Sequence, residues 1–319
     1  MVGMNLAVVI GGNGLIGRAL VFELIQNNFK IIIVGTSEKI HDDLKDIDRA
    51  IISYIRIPNM TDWSKIIKKE IEKVIYFEEG CIFYNLAWRG KKKLMDGGIS
   101  EQLKNIKLSC DLIDLAKQLK AIKYIVTGSM EELIFEKKMN NNFWILNKKE
   151  KIQNFYPLAK VAARRQSSFQ AYLSKLDYCY TYISIVIEKK LNVSKYVDQS
   201  FKKIMNNNEV LTPENRELCN ISSSDEVAKQ LLAIGKKGKN KRNYILGTQE
   251  SASLEEYFDK FTRIFKNVSS ISKLNLNDNY GYLKKEDFKT INLFQDTGYI
   301  QNENSFSLFS EIIQKYKFN

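Results

Sequence analysis

Two rhythms of apolar and polar positions alternate along this chain. Leu6 to Ile10 is a short continuous apolar run, the pattern of a strand buried on both faces. Glycines follow, and then an amphipathic segment from Leu15 to Ile25 that predicts a helix. The alternation recurs, with strands predicted over Phe29–Gly35, Ala50–Ile57, Cys81–Ala87 and Ala121–Thr127. Between them, Thr61 or Asp62 is placed to cap a helix running through Ile66, Ile67 and Ile71. A second helix over Gln102–Lys120 carries apolar positions Leu103, Ile106, Leu112, Ile113, Leu115 and Leu119. Such alternation over about 130 residues implies a parallel sheet with right-handed crossovers. Cys179 to Ile187 reads as a later strand. Residues 188–319 are less regular, with helices predicted over 194–207 and 253–266.

The turn after the first strand holds the first chemical signal. Gly11, Gly14 and Gly17 are three residues apart, a looser spacing than GxGxxG, between a predicted strand and a predicted helix. In that context Gly11 permits the sharp turn, Gly14 lets backbone approach a pyrophosphate, and Gly17 lets the helix pack near the strand. Asn13, Leu15 and Ile16 fill out this phosphate loop, and the free N–H groups at the helix start face the anion. The second strand ends at Gly35, where an acid would hold the adenosine ribose of NAD. With no carboxylate there, and with Thr36, Ser37 and Lys39 as donors, NADP (NADPH) is favoured over NAD, although Glu38 is near. Arg18 reads either as a further donor or as an ordinary residue of the helix start. Asn59 and Met60 follow the third strand, where an adenine ring would lie, and Leu86, Ala87 and Trp88 follow the fourth.

Composition narrows the classes. The chain has 319 residues, 44% of them hydrophobic, which supports one large α/β domain or one domain with a smaller appendage. No apolar run reaches the roughly 18 residues of a membrane helix, and no leader pattern precedes the first strand, so a cytoplasmic protein is expected. Net charge is +12. The lysine clusters at 91–93 and 236–239 are short and fall where loops are predicted, so they read as solvated surface and no nucleic-acid partner is expected. Cys81, Cys110, Cys179 and Cys219 are scattered and read as buried thiols. With His41 the one histidine, no metal site is expected.

Beyond the fifth strand lies Tyr156-Pro157-Leu158-Ala159-Lys160. Tyr156 and Lys160 share a face if the segment is helical, and Pro157 suits a first turn. Together with Gly11-Gly12-Asn13-Gly14-Leu15-Ile16-Gly17, Asn85-Leu86-Ala87-Trp88 and Thr127-Gly128-Ser129, this segment resembles the extended short-chain dehydrogenase/reductase family. That family comprises nucleotide-sugar epimerases, dehydratases and 4-ketoreductases. Ile221–Ala228 is similar to its strand-to-helix segment in the substrate domain, and Tyr244-Ile245-Leu246-Gly247 to a later strand.

The resemblance implies that Tyr156 is the general acid/base, Lys160 its activator and ribose ligand, and Ser129 its hydroxyl partner. Thr127 joins the cofactor side, while Trp88, Arg89, Ser129, Met130, Glu131 and Arg216 fall to the substrate side. Lys195, Lys202 and Lys203 are further candidates for a diphosphate. A neighbouring ammonium and an oxidised nicotinamide would lower the phenol from its usual value of about 10. Departures also matter. Met130 stands where the dehydratases carry an Asp, Leu133 replaces a Tyr, the strand at 179–187 lacks the usual Arg, and Glu188-Lys189-Lys190 replaces a Gly-Pro turn.

The implied fold is α/β, a Rossmann doubly wound parallel sheet with a smaller C-terminal α/β substrate-binding lobe. Residues 1–187 form the first part and 188–319 mainly the second, whose strands can return to the sheet. The implied function is NADPH-dependent reduction of a nucleotide-linked 4-keto sugar for surface polysaccharide, by a homodimer paired through a bundle that includes 156–175. A 4-epimerase retaining NAD and a non-catalytic NADP-binding module are the alternatives.

Overall fold

Side chains alternate across each strand, and this period of two sorts the core into two layers. Val8, Ile10, Ile32, Val34, Phe83 and Tyr124 face one side, while Ala7, Val9, Ile31, Ile33, Tyr84 and Ile125 face the other. The computed structural model describes residues 5–57, 66–70, 80–90, 98–140, 155–192, 195–207, 213, 217–268 and 281–317. The sheet strands are β1 (Asn5–Ile10), β2 (Phe29–Gly35), β3 (Ile52–Arg56), β4 (Cys81–Asn85), β5 (Ala121–Thr127), β6 (Tyr178–Ile183) and β9 (Arg242–Leu246). They run parallel in the order β3-β2-β1-β4-β5-β6-β9. The order reverses between β1 and β4, which opens a crevice at the carboxyl ends of these strands.

Helices cover both faces. α1 (Leu15–Gln26) and α7 (Ser224–Lys237) pack together on one. α2, described over 66–70, lies on the other with α3 (Ile99–Gln118), α4 (Met130–Asn140) and α5 (Tyr156–Leu173). β9 and α7 therefore complete the main layer from the second half of the chain. The strand predicted over 179–187 divides at Ser184. Beyond it, β7 (Ile185–Ile187) leaves the main sheet and pairs with β8 (Ile221–Ser223). α4 has no counterpart among the elements predicted from the sequence.

A separate apolar cluster builds the smaller lobe from α6 (Tyr196–Asn207), α8 (Leu254–Lys266) and α10 (Ser305–Lys317). Phe201 stacks flat on Phe261 with centroids 3.9 Å apart, and Phe309 meets both edge-on. Ser253 and Glu256 form a reciprocal capping box at the start of α8, and Asn267 ends that helix in the left-handed conformation at φ +54°. α9 (Ile291–Thr297) packs against β9 and α7. No helix among the described residues is long and apolar enough to cross a membrane.

Candidate active site

The glycine turn is built as its spacing requires. Gly11 adopts φ +85° and lies against the end of β4, where an added Cβ would stand 3.2 Å from the Ala87 nitrogen. Gly17 is tighter: its Cβ would stand 2.4 Å from the Gly11 carbonyl oxygen. Gly14 is the N-cap of α1, with no side-chain cap and no acid in the first turn. The leading N–H groups of Leu15 and Ile16 thus remain available to an anion, which fits the pyrophosphate of a dinucleotide. Arg18 is already engaged, bonding the Asn13 carbonyl and pairing with Asp43 at 3.0 Å and Glu188 at 3.3 Å.

Asn13 also ties this turn to the segment after β2. Its Nδ2 donates to the Lys39 carbonyl at 3.0 Å, and its Oδ1 accepts from the His41 N–H at 3.1 Å. The Tyr54 hydroxyl donates to the Ser37 carbonyl at 2.8 Å and stands 3.0 Å from where a Cβ on Gly35 would be. Thr36, Ser37 and Lys39 are exposed. Arg56 lies directly beside Gly35 in the sheet register and pairs with Glu38 at 3.6 Å. Nothing local in the sequence marks Tyr54 and Arg56, whose place beside Gly35 is set by strand pairing. Asn59, Met60 and Arg216 lie outside the described residues.

At the carboxyl end of β4, Asn85 turns inward. Its amide donates to the Tyr124 hydroxyl and its Oδ1 accepts from the Ala87 N–H. Trp88 is held through its indole N–H to Gln102, and Asn105 brackets Arg89 through both backbone groups. Gln102 and Asn105 are buried on α3, a helix face that period alone marks as apolar.

Tyr156 opens α5 with Pro157 in the first turn, as expected. Lys160, one turn on, is 6% exposed. Its ammonium donates to the Thr127 carbonyl at 2.9 Å and lies 4.1 Å from the centroid of the Trp88 ring. The Tyr156 ring meets that same indole edge-on at 5.8 Å. Trp88 thus joins the two α5 side chains to the end of β4. The Ser129 hydroxyl accepts from the Glu131 N–H at 3.2 Å, which leaves its own proton to favour the Tyr156 phenolate.

Burial pushes the Tyr156 phenol well above its usual value. The Ser129 hydrogen bond offsets this in part, and the Glu132 and Glu131 carboxylates add to it. The lowering expected from the sequence invoked an oxidised nicotinamide beside the ammonium, and the protein's own groups alone give the opposite direction. Desolvation of a buried phenol outweighs its neighbours here. Glu131 is itself raised by burial and by Glu217. Met130 is 4% exposed and packs into the apolar layer.

Other candidates fall elsewhere. Lys202 and Lys203 are exposed on α6, and Lys195 donates to the Val186 carbonyl. Cys81, Cys179 and Cys219 are buried as expected, whereas Cys110 is only half-buried. Among the described residues no cluster of side chains suits a metal ion.

The architecture recurs in solved structures. UDP-glucose 4-epimerase from Thermotoga maritima, with UDP-glucose, superposes with a TM-score of 0.71 at 14% identity, covering 98% of this chain and 99% of that one. UDP-N-acetylglucosamine 4-epimerase from Bacillus cereus gives 0.70 at 15% identity over 99% and 100%. The dTDP-glucose 4,6-dehydratase from Bacillus anthracis, in complex with NAD, gives 0.72 at 13% identity over 99% and 97%. At these identities the likeness is one of fold. No curated protein matches the chain in sequence. The model of the NAD dependent epimerase/dehydratase family matches residues 7–247, which takes in the glycine turn, Ser129, Tyr156 and Lys160, and the chain belongs to that family.

Proposed function

We propose that the protein reduces a nucleotide-linked 4-keto sugar with NADPH. The observation that carries this reading is Tyr156 with Lys160 one turn further along α5, the Lys160 ammonium on the Thr127 carbonyl at 2.9 Å and both side chains against the Trp88 ring, with the Ser129 hydroxyl on the phenol's side. The α1 N-terminus would hold the pyrophosphate, and Lys160 and Thr127 would face the nicotinamide ribose. When bound, the nicotinamide supplies the hydride.

The chain's own residues handle the proton. Tyr156 holds it at the phenol oxygen, within a setting that disfavours phenolate. A buried neutral phenol is the form that donates to a carbonyl oxygen as that oxygen gains charge. Ser129 orients the same oxygen from the other side. The Trp88 ring packs against the Lys160 ammonium and helps hold it in place.

NADPH is preferred on the surroundings of Gly35. The ribose-binding acid is missing, the Tyr54 hydroxyl fills its space, and Arg56 is in register beside it. An arginine there suits a 2′-phosphate. The second reading, a 4-epimerase with retained NAD, is favoured by the likeness in fold to the T. maritima and B. cereus 4-epimerases. The protein is further proposed to act as a homodimer.

Three measurements test these readings. Purified protein should oxidise NADPH in step with added UDP- or dTDP-linked 4-keto hexose, and NADPH should outbind NADH. Tyr156→Phe should cut kcat by about a thousandfold or more while NADPH binding stays within about twofold. Tightly retained NAD, with inversion at C4 and no net NADPH oxidation, would overturn the reductase in favour of the epimerase.

A further inference from the structure

Behind Ser129 and Tyr156 stands a buried carboxyl that the proposed reaction does not use. Glu132 is 0% exposed and accepts three hydrogen bonds. One comes from the Ser129 N–H at 2.9 Å, one from the Tyr180 hydroxyl at 2.5 Å and one from Arg164 Nε at 3.1 Å. Arg164 lies one turn beyond Lys160 on α5. Its far side pairs with Glu136 at 2.7 Å, and its guanidinium faces the Tyr180 and Tyr182 rings.

A Glu three residues after a helix-leading Ser ordinarily forms a wet capping box. Here only the Glu half of the box forms, to the Ser129 N–H, while the Ser129 hydroxyl takes the Glu131 N–H, and the carboxyl is walled in by β6 and α5. An ion pair so buried gains little in stability over an apolar pair of the same shape, so stability alone does not account for it. Its placement does. One carboxylate oxygen fixes the backbone of the residue whose hydroxyl meets the phenol, and the whole group acts electrostatically on both Lys160 and Tyr156.

We propose that Glu132, balanced by Arg164, is a positioning residue that aims Ser129 at Tyr156 and sets the electric field at the phenol. The inference rests on Tyr156 being the acid/base. The charged and titratable groups around the pair are Glu131 and Glu136 on α4, Lys160, Arg164 and Arg165 on α5, Tyr178, Tyr180 and Tyr182 on β6, and Glu217 beside Glu131.

The test reads the phenol directly. A fluorinated tyrosine, whose electron-poor ring titrates nearer neutrality, is placed at position 156 alone in the full chain. Its ¹⁹F shift is then followed against pH, with circular dichroism confirming the fold of each variant. Glu132→Gln should lower the midpoint by about half a pH unit or more, and Arg164→Gln should raise it by a similar amount. Arg164→Lys, which keeps the charge, should stay near the parent. Both Gln variants break the same ion pair, so a purely structural role would move them together or leave both unmoved, and either result overturns the proposal. If Glu132→Gln does not fold, the difference between Arg164→Gln and Arg164→Lys decides by its sign. NADPH binding, read by fluorescence in the parent protein, tests the functional reading separately, since its absence would defeat that reading and leave the ¹⁹F comparison intact.

Discussion

Gly17 has no room for a side chain, because the Gly11 carbonyl oxygen and the Gly12 backbone occupy the place a Cβ would take. Backbone, unlike a flexible side chain, yields only by shifting α1 or the turn. Gly17→Ala should therefore cost about 2 kcal/mol in urea unfolding and weaken nucleotide binding alongside. The steric reason for this glycine is readable from strand, turn and helix in sequence. So is the Tyr156 and Lys160 spacing, because residues four apart on a helix share a face. Glu132 and Arg164 are less accessible to reading. Ser129-Met130-Glu131-Glu132 does carry the capping-box signature, but its burial depends on β6 and α5 closing over it. Contacts between elements distant in sequence leave no local pattern.

At the scale of elements, one carboxylate of α9 gathers several partners at β9. Asp296 accepts from Arg242 at 2.9 Å and from the Tyr244 hydroxyl at 3.0 Å, and it pairs with Lys239 at 2.8 Å. Burial pushes this carboxyl up, but hydrogen bonds from Lys239, Arg242 and Tyr244 outweigh it and hold it at about 2. A group depressed in the folded state stabilises above its unfolded value of about 3.9 and loses that contribution as pH falls through the folded value. Asp296→Asn should accordingly cost about 1–2 kcal/mol near neutral pH, the figure being held down by the partly exposed partners. The gap between the two proteins should close between about pH 4 and 2 in chemical denaturation at stepped pH. The sequence marked strand β9 without its partner helix. It also ran β6 and β7 together, since an apolar run does not show where a strand changes sheets.

On the scale of the molecule, one surface among the described residues stands out as incompletely covered. α3 and α5 pack side by side, yet Leu103 is 56% exposed, and Phe169 and Leu173 are each 63% exposed, with Ile99, Leu158 and Tyr172 also open. Apolar residues gathered on neighbouring helices are the mark of a surface that meets another protein. A second copy, pairing α3 and α5 into a four-helix bundle, is the expected occupant. Sedimentation should find a dimer, and Phe169→Glu combined with Leu173→Glu should raise the dimer Kd at least about a hundredfold, as for charges forced into an apolar interface.

α1 buries Leu20, Val21 and Leu24 in the cluster that also holds Val227, Ala228 and Leu231 of α7. A nascent chain therefore leaves the ribosome with its first helix greasy along one flank, and stays so until residues 224–237 emerge. A clipped product ending at residue 187 would keep the phosphate-gripping loop but lack the cover that makes it soluble, and it is destined for chaperones or aggregates instead of a working nucleotide fragment.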